Sequence, residues 1–173
     1  MTFGSAASRG KKKNDIRIKL FGMAIFGAGS NWDGKEIRER FFADGNYVIG
    51  WSNEDAEDLY NLLSSVKAGD ILYLKADRPG ALNIRVKGIG IVKESLLSAR
   101  LRRGGSLSDV PGCLQIPVEW VCREEFIVSV PHGTGKLTNV RAATLYEESL
   151  PFVQQAVLER IFRRLGTGSE RKE

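Results

Sequence analysis

The apolar pattern changes period along the chain, and that change excludes most folds. After Ser52 and Asp55, spaced as a capping box, Leu59, Leu62, Leu63 and Val66 recur at helical spacing as far as Ala68-Gly69. Beyond Gly69 the period falls to two. Leu82, Ile84 and Val86 alternate with Asn83, Arg85 and Lys87, which predicts one buried face and one wet, basic face. "DILYLKA", "LNIRVKGIGIV", "QIPVEWV" and "EFIVSV" all read as strands, the first two joined through the turn Asp77-Arg78-Pro79-Gly80. Upstream, residues 16 to 27 predict a strand. "SNWDGKEIRERFFADG" predicts a helix, with Asp33 and Glu36 as its capping box, Ile37 and Phe41 on one face and Gly45 as its stop. "NYVIGW" is a short strand. "TLYEESLPFVQQAVLERIFRRL" closes the chain with a helix whose stripe, Val153, Val157 and Ile161, is widened by Phe162 and Leu165. The order is β-α-β-α-β-β, then β-β and a terminal helix. A regular βαβαβ sheet needs more helical crossovers, so the expected class is α+β: a small, mixed, strongly curved sheet or barrel flanked by helices.

A chain of 173 residues with 42% apolar content supports one core. The expected organisation is a disordered basic tail at 1–14, carrying Lys11-Lys12-Lys13, a single domain at 15–165, and a second loose end at 166–173. A net charge of +5 favours a polyanionic partner. Cys113 and Cys122 lie nine apart and the chain has one histidine, which argues against a zinc site and for reduced cysteines in the cytoplasm. No apolar stretch has the length of a membrane span, so no membrane partner is expected.

Two glycine clusters imitate phosphate loops. In "AIFGAGSNWDG", Gly27 and Gly29 fit a dinucleotide fingerprint, but Trp32 stands where the third glycine must be. "PHGTGKLT" resembles the end of a P-loop, but Val130 and Leu137 replace the required glycine and hydroxyl, leaving a turn around Gly133 and Gly135. His132 sits in that turn with no neighbouring nucleophile, and Glu124-Glu125 and Glu147-Glu148 read as solvated surface. No catalytic residue, cofactor or metal is therefore expected, and a nuclease is disfavoured.

Trp32 and Trp51 lie at or just after strand ends, beside Ser30-Asn31 and Ser52-Asn53 respectively. A flat ring next to hydrogen-bonding groups suits a nucleobase, and Gly27, Gly29 and Gly50 would let the backbone approach it. Trp120, within an alternating strand, belongs to the core. Residues 93 to 114 predict a long basic connection, in which Arg100, Arg102 and Arg103, with Lys87 from the strand before it, are candidate phosphate contacts.

Residues 29 to 76, followed by "IRVKGIGIV", "VEWV" and "NVRAATLYEE", resemble the EVE-like branch of the PUA-like superfamily over about residues 20 to 165. The most specific parts are the "GW" after the second strand, the "GD" opening the third and the "GIGIV" strand. The resemblance implies a compact barrel-like sheet similar to EVE and YTH domains and to the DNA-reading domains of methyl-directed restriction systems. It further implies an aromatic base pocket of Ser30, Asn31, Trp32, Trp51 and Ser52, with Tyr73 and Lys75 from the third strand. The expected function is reading a modified cytosine, flipped from nucleic acid, with a separate effector protein doing any chemistry. The alternative is an RNA-binding or nucleotide-sensing accessory factor in defence.

Overall fold

The computed structural model describes residues 22–52, 54–76, 83–104, 115–134 and 143–167. Its elements are β1 (Ile25–Gly29), β2 (Asn31–Trp32), β3 (Lys35–Glu36), α1 (Arg38–Asp44), β4 (Asn46–Val48), α2 (Glu57–Ser65) and β5 (Ile71–Ala76). These are followed by β6 (Asn83–Val92), α3 (Leu96–Arg102), β7 (Gln115–Cys122), β8 (Phe126–Ser129), β9 (Leu145–Glu147) and α4 (Pro151–Thr167).

The ten residues of β6 organise the main sheet. One edge pairs antiparallel with β5; the other pairs with β8 over Asn83–Val86 and with β7 over Ile89–Val92. The strand order is β4-β7-β6-β5-β1-β9, with β8 beside β6. Among the described residues only β1 and β5 run parallel, Ile25 opposite Ile71; the other pairs are antiparallel. Register slips at Leu74/Lys75 and at Ile89/Gly90 bend the sheet, as bulges do. Gly90 permits the second bend, because a Cβ there would lie 2.3 Å from Val118 Cγ1. The result is a curled mixed half-barrel with four helices among the described residues, the α+β architecture expected from the period change and compatible with a PUA-like fold.

Alternation in β1 and β5 divides the core in two. Phe26, Ala28, Leu72 and Leu74 face Phe41 and Phe42 of α1, Leu63 of α2 and Leu96 of α3. Ile25, Ile71 and Tyr73 face Val153, Val157 and Ile161 of α4. The apolar stripe of α4 stays narrow: Phe162 and Leu165 are exposed, contrary to expectation.

The segment 30–45 is not one helix. Asn31–Glu36 forms a small hairpin in which Asn31 opposes Glu36 and Trp32 opposes Lys35. Its turn, Asp33-Gly34, has φ of 50° and 81°, two successive positive values of the kind that Asp-Gly favours in two-residue hairpins. Asp33 therefore turns a hairpin instead of capping a helix; α1 starts after Ile37 and stops, as expected, at left-handed Gly45. Ser52 and Asp55 do bond to each other, but α2 begins only after Ala56, so they close a preceding turn. Part of the basic connection is helix: Ser95 Oγ accepts from the Ser98 amide and starts α3. Leu145–Glu147 is strand, and α4 opens with Pro151, a residue suited to the first helical turn.

The 1–14 tail, the 77–80 turn, Asn53, Cys113 and residues 105–114, 135–142 and 168–173 lie outside the described residues. Among the described residues, no helix is long and apolar enough to cross a membrane.

Candidate functional site

The curl brings the two ends of the sheet together. The chain leaving edge strand β4 carries Gly50 and Trp51, and Trp51 Nε1–H donates to Thr144 Oγ1, just before the opposite edge strand β9, at 3.2 Å. Thr144 is fixed in turn by its carbonyl, which accepts from the Gly29 amide at the end of β1 (2.7 Å). Tyr60 of α2 donates its hydroxyl to the Trp51 carbonyl (2.6 Å). Trp51 is nonetheless 54% exposed. The seam of the half-barrel thus presents an indole that is open to solvent and tied at both ring and backbone.

Trp32 has a different role. Its ring packs edge-on against Phe41, with centroids 6.1 Å apart. It also lies against Gly50, where a Cβ would sit 2.7 Å from its Nε1. Its indole N–H is buried and has no partner among the described residues. Trp32 is half-buried bedding against Gly50, and of these two indoles only that of Trp51 is exposed. Trp120 is core, as expected, donating to the Phe41 carbonyl at 2.8 Å.

The glycines make room for protein. Gly27 clears space for the ring of Tyr146, which would come within 2.5 Å of a Cβ, and Gly50 does so for Trp32. The bare backbone of "FGAG" is required by an aromatic side chain 119 positions away.

Ser30 is fully buried and Ser52 and Asn31 are exposed. Ser30 Oγ accepts from Lys87 Nζ at 2.5 Å, and the same ammonium pairs with Glu36 Oε2. Lys87 is only 4% exposed, which takes it off the wet, basic face that alternation predicts. The cause is the bulge: Leu74 pairs with Gly88 and Lys75 with Val86, so Lys87 is the extra residue and turns inward. It pins the hairpin that carries Trp32 and is not placed to meet a phosphate. Directly opposed residues of a ribbon share a face, so Trp32 goes with Lys35 and Asn31 with Glu36.

Burial alone would raise the Glu36 pKa. The hydrogen bonds from Lys87 and Ser30 and the Lys87 charge outweigh burial and hold it below the usual carboxylate value. A depressed folded pKa contributes stability above the unfolded value, about 4.5, which is lost as pH falls through the folded one. Lys87→Met should therefore lower stability at pH 7 by about 1.5–3 kcal/mol, the worth of hydrogen bonds to a charged group. The gap from the parent should narrow as pH drops below about 4. Urea unfolding midpoints at pH 7 and pH 3 measure it; a gap of constant size contradicts the ion pair.

Tyr73 and Lys75 lie on the α4 side of the sheet, away from Trp32. Tyr73 is fully buried, its hydroxyl 2.6 Å from that of Tyr146 and donating to Glu148 Oε2 at 2.6 Å. Burial first, then the neighbouring tyrosine and carboxyl group, pushes its pKa far above the ordinary phenol value. Lys75 is nearly buried, with Nζ 5.5 Å from the centroid of the Tyr146 ring. Glu148, expected at the surface, is 2% exposed.

The three arginines occupy the end of α3. Exposed Arg102 pairs with half-buried Glu94 at 2.9 Å, and with the Gln115 carboxamide turned so that its oxygen faces Arg103, Arg103 donates to it at 2.5 Å. Arg100 has one guanidinium nitrogen buried and without a partner among the described residues. A cleft of about 560 Å³ beside Arg102 is lined by Asp44, Lys93, Glu94 and Glu119, more acid than base. It lies along the β4–β7 edge.

Sequence reasoning singled out Trp51 and not Thr144 and Tyr60, which hold it. The tyrosine sits at a helical position that reads only as core, and the threonine lies 93 residues from its partner.

No protein-family model matches the chain, and no curated protein matches it. A solved structure from Leishmania major, described as a hypothetical protein, aligns over 82% of this chain and 97% of that one, at 11% identity and a TM-score of 0.47.

Proposed function

We propose that the chain is a nucleic-acid-binding module that accepts a modified cytosine, turned out of DNA, on the indole of Trp51. The observation that carries this reading is the exposed ring of Trp51 fixed through Thr144 and Tyr60. A lone exposed aromatic is ordinary, but an exposed ring held at both ends is a preorganised stacking surface. Stacking on it is worth roughly 1–3 kcal/mol per base, against an unstacking cost of a few kcal/mol that backbone contacts must help to offset. Exposed Arg102 can supply such contacts by exchanging its Glu94 partner for a phosphate, since surface pairs of this kind are weak. The net charge of +5 and the resemblance of residues 20 to 165 to the EVE-like branch point the same way. A single stacking face discriminates a methylated from an unmodified base by only about 1–3 kcal/mol. In this reading the chain breaks no bond, and a separate effector protein in the cytoplasm acts on the marked site.

The alternative is an RNA-binding or small-nucleotide-sensing factor, and one observation favours its small-nucleotide form. Exposed Glu54, Asp55, Glu57 and Asp58 follow Trp51 closely and repel a polyanion on that flank.

The deciding experiment is fluorescence anisotropy with single- and double-stranded DNA and RNA, with and without modified cytosine, and with labelled free nucleotides, at two salt concentrations, for the parent and Trp51→Ala. A preference for modified DNA that falls steeply with salt and disappears in the variant supports the first reading. Tight, salt-insensitive binding of free nucleotides supports the second. Equal affinity across the panel, unchanged in the variant, rejects both.

A further inference from the structure

We infer that Thr144 is the specificity-determining residue of this surface: its hydroxyl donates to an acceptor atom, a carbonyl oxygen or an unprotonated ring nitrogen, on the edge of the heterocycle stacked on Trp51. The inference rests on the base-binding reading and names what that reading lacks, a group that reads the ring's edge. A threonine hydroxyl has one proton and two lone pairs. One lone pair takes the Trp51 N–H at 3.2 Å. The proton has no acceptor among the described residues, and the side chain is only partly buried. Its backbone is not free to drift, because the carbonyl holds the Gly29 amide at 2.7 Å. A donor with no acceptor among the described residues is thus fixed beside the pyrrole edge of the exposed indole. A flat ring laid on that indole brings its own edge alongside the donor.

The other polar groups expected to read an edge are otherwise engaged or turned away. Ser30 is buried under Lys87, and Asn31 shares a ribbon face with Glu36 instead of Trp32. Ser52 is bonded to Asp55. The accepted bond also makes Thr144 a positioning residue for the ring, so removing its hydroxyl affects both the direct contact and the orientation of the platform.

The test measures affinity for two duplexes, one with a single 5-methylcytosine and one with an abasic site at the same place. The proteins are the parent, Thr144→Val, Thr144→Ser, Trp51→Ala and Trp51→Ala/Thr144→Val. Thr144→Val, nearly isosteric, should weaken the 5-methylcytosine duplex by about 2- to 10-fold, the worth of one hydrogen bond, and leave the abasic duplex unchanged. Thr144→Ser should bind like the parent. Adding Thr144→Val to Trp51→Ala should have no further effect, because the two act on one ligand. Equal affinity of Thr144→Val and parent for the methylated duplex overturns the inference, as does equal weakening on both duplexes. If Trp51→Ala discriminates the duplexes as the parent does, the base-binding reading itself fails.

Discussion

Trp51→Ala is expected to weaken binding to DNA carrying a modified cytosine by about 5- to 150-fold, the equivalent of roughly 1–3 kcal/mol of stacking. The same substitution should barely disturb folding. The ring is 54% exposed, so little apolar area leaves the core, and the one side-chain hydrogen bond lost, to Thr144, lies at the surface. Exposed changes of this kind stay within about 0.5–1.5 kcal/mol. Trp51→Phe should fall between, keeping a flat face but losing ring area and the N–H. The informative quantity is the ratio of modified to unmodified affinity, since phosphate contacts cancel in it. Loss of that ratio with an unchanged melting temperature identifies a stacking platform. A melting temperature that collapses while the ratio survives would show that the seam needs the ring for closure and that bases go elsewhere.

The parts of the fold legible in the chain are those governed by local periodicity. The four strands from Ile71 to Ser129 and the stripe of α4 follow from alternation and helical spacing that survive in the structure. Asp33-Gly34 was also legible, as a hairpin turn, but the helical spacing of the residues after it obscured the signal. Lys87 shows a different limit. A strand has period two, so one bulged residue moves a side chain to the other face, and the local sign of the slip is Gly88, a strand glycine of the kind that marks bulges. The site suffers from distance. Alternation puts Tyr73 on one face of β5 but does not say on which face the indoles lie; that depends on the hairpin folding toward α1. The seam joins residues 51 and 144 through curl accumulated over the whole sheet. Trp51 could be singled out by its type and by its position after a strand, whereas its partners are threonine and tyrosine, residue types too common to stand out.

Glu148→Ala carries the largest expected cost in stability, about 3–5 kcal/mol, typical of stripping one partner from a buried charged or polar network. Glu148 joins three elements. Its Oε2 accepts from Tyr73 of β5 at 2.6 Å and from Tyr146 of β9 at 3.3 Å, and its Oε1 accepts from the Leu150 amide at the start of α4 at 2.8 Å. The backbone repeats the pattern, the amide donating to the Ile25 carbonyl and the carbonyl accepting from Gln154 Nε2. Alanine leaves a cavity and deprives two phenols and a helix-start amide of their shared acceptor beneath α4, where water does not replace it. For a chain of this size the loss corresponds to a melting temperature lower by about 6–20 °C. Tyr73→Phe removes only one donor and should cost about 1 kcal/mol. Because Glu148 and Tyr73 act on each other, the double variant should cost less than the sum of the two. Urea unfolding of the four proteins measures the coupling, and strictly additive losses would show that the hydroxyl and the carboxyl group do not share a bond. Tyr73 and Glu148 lie on the α4 side of the sheet, away from the bedding of Trp51, so any Glu148→Ala protein that remains folded should keep the parent's ratio between modified and unmodified DNA. A changed ratio would mean that α4 positions the seam, and would move the determinant of binding from the indole to the helix beneath it.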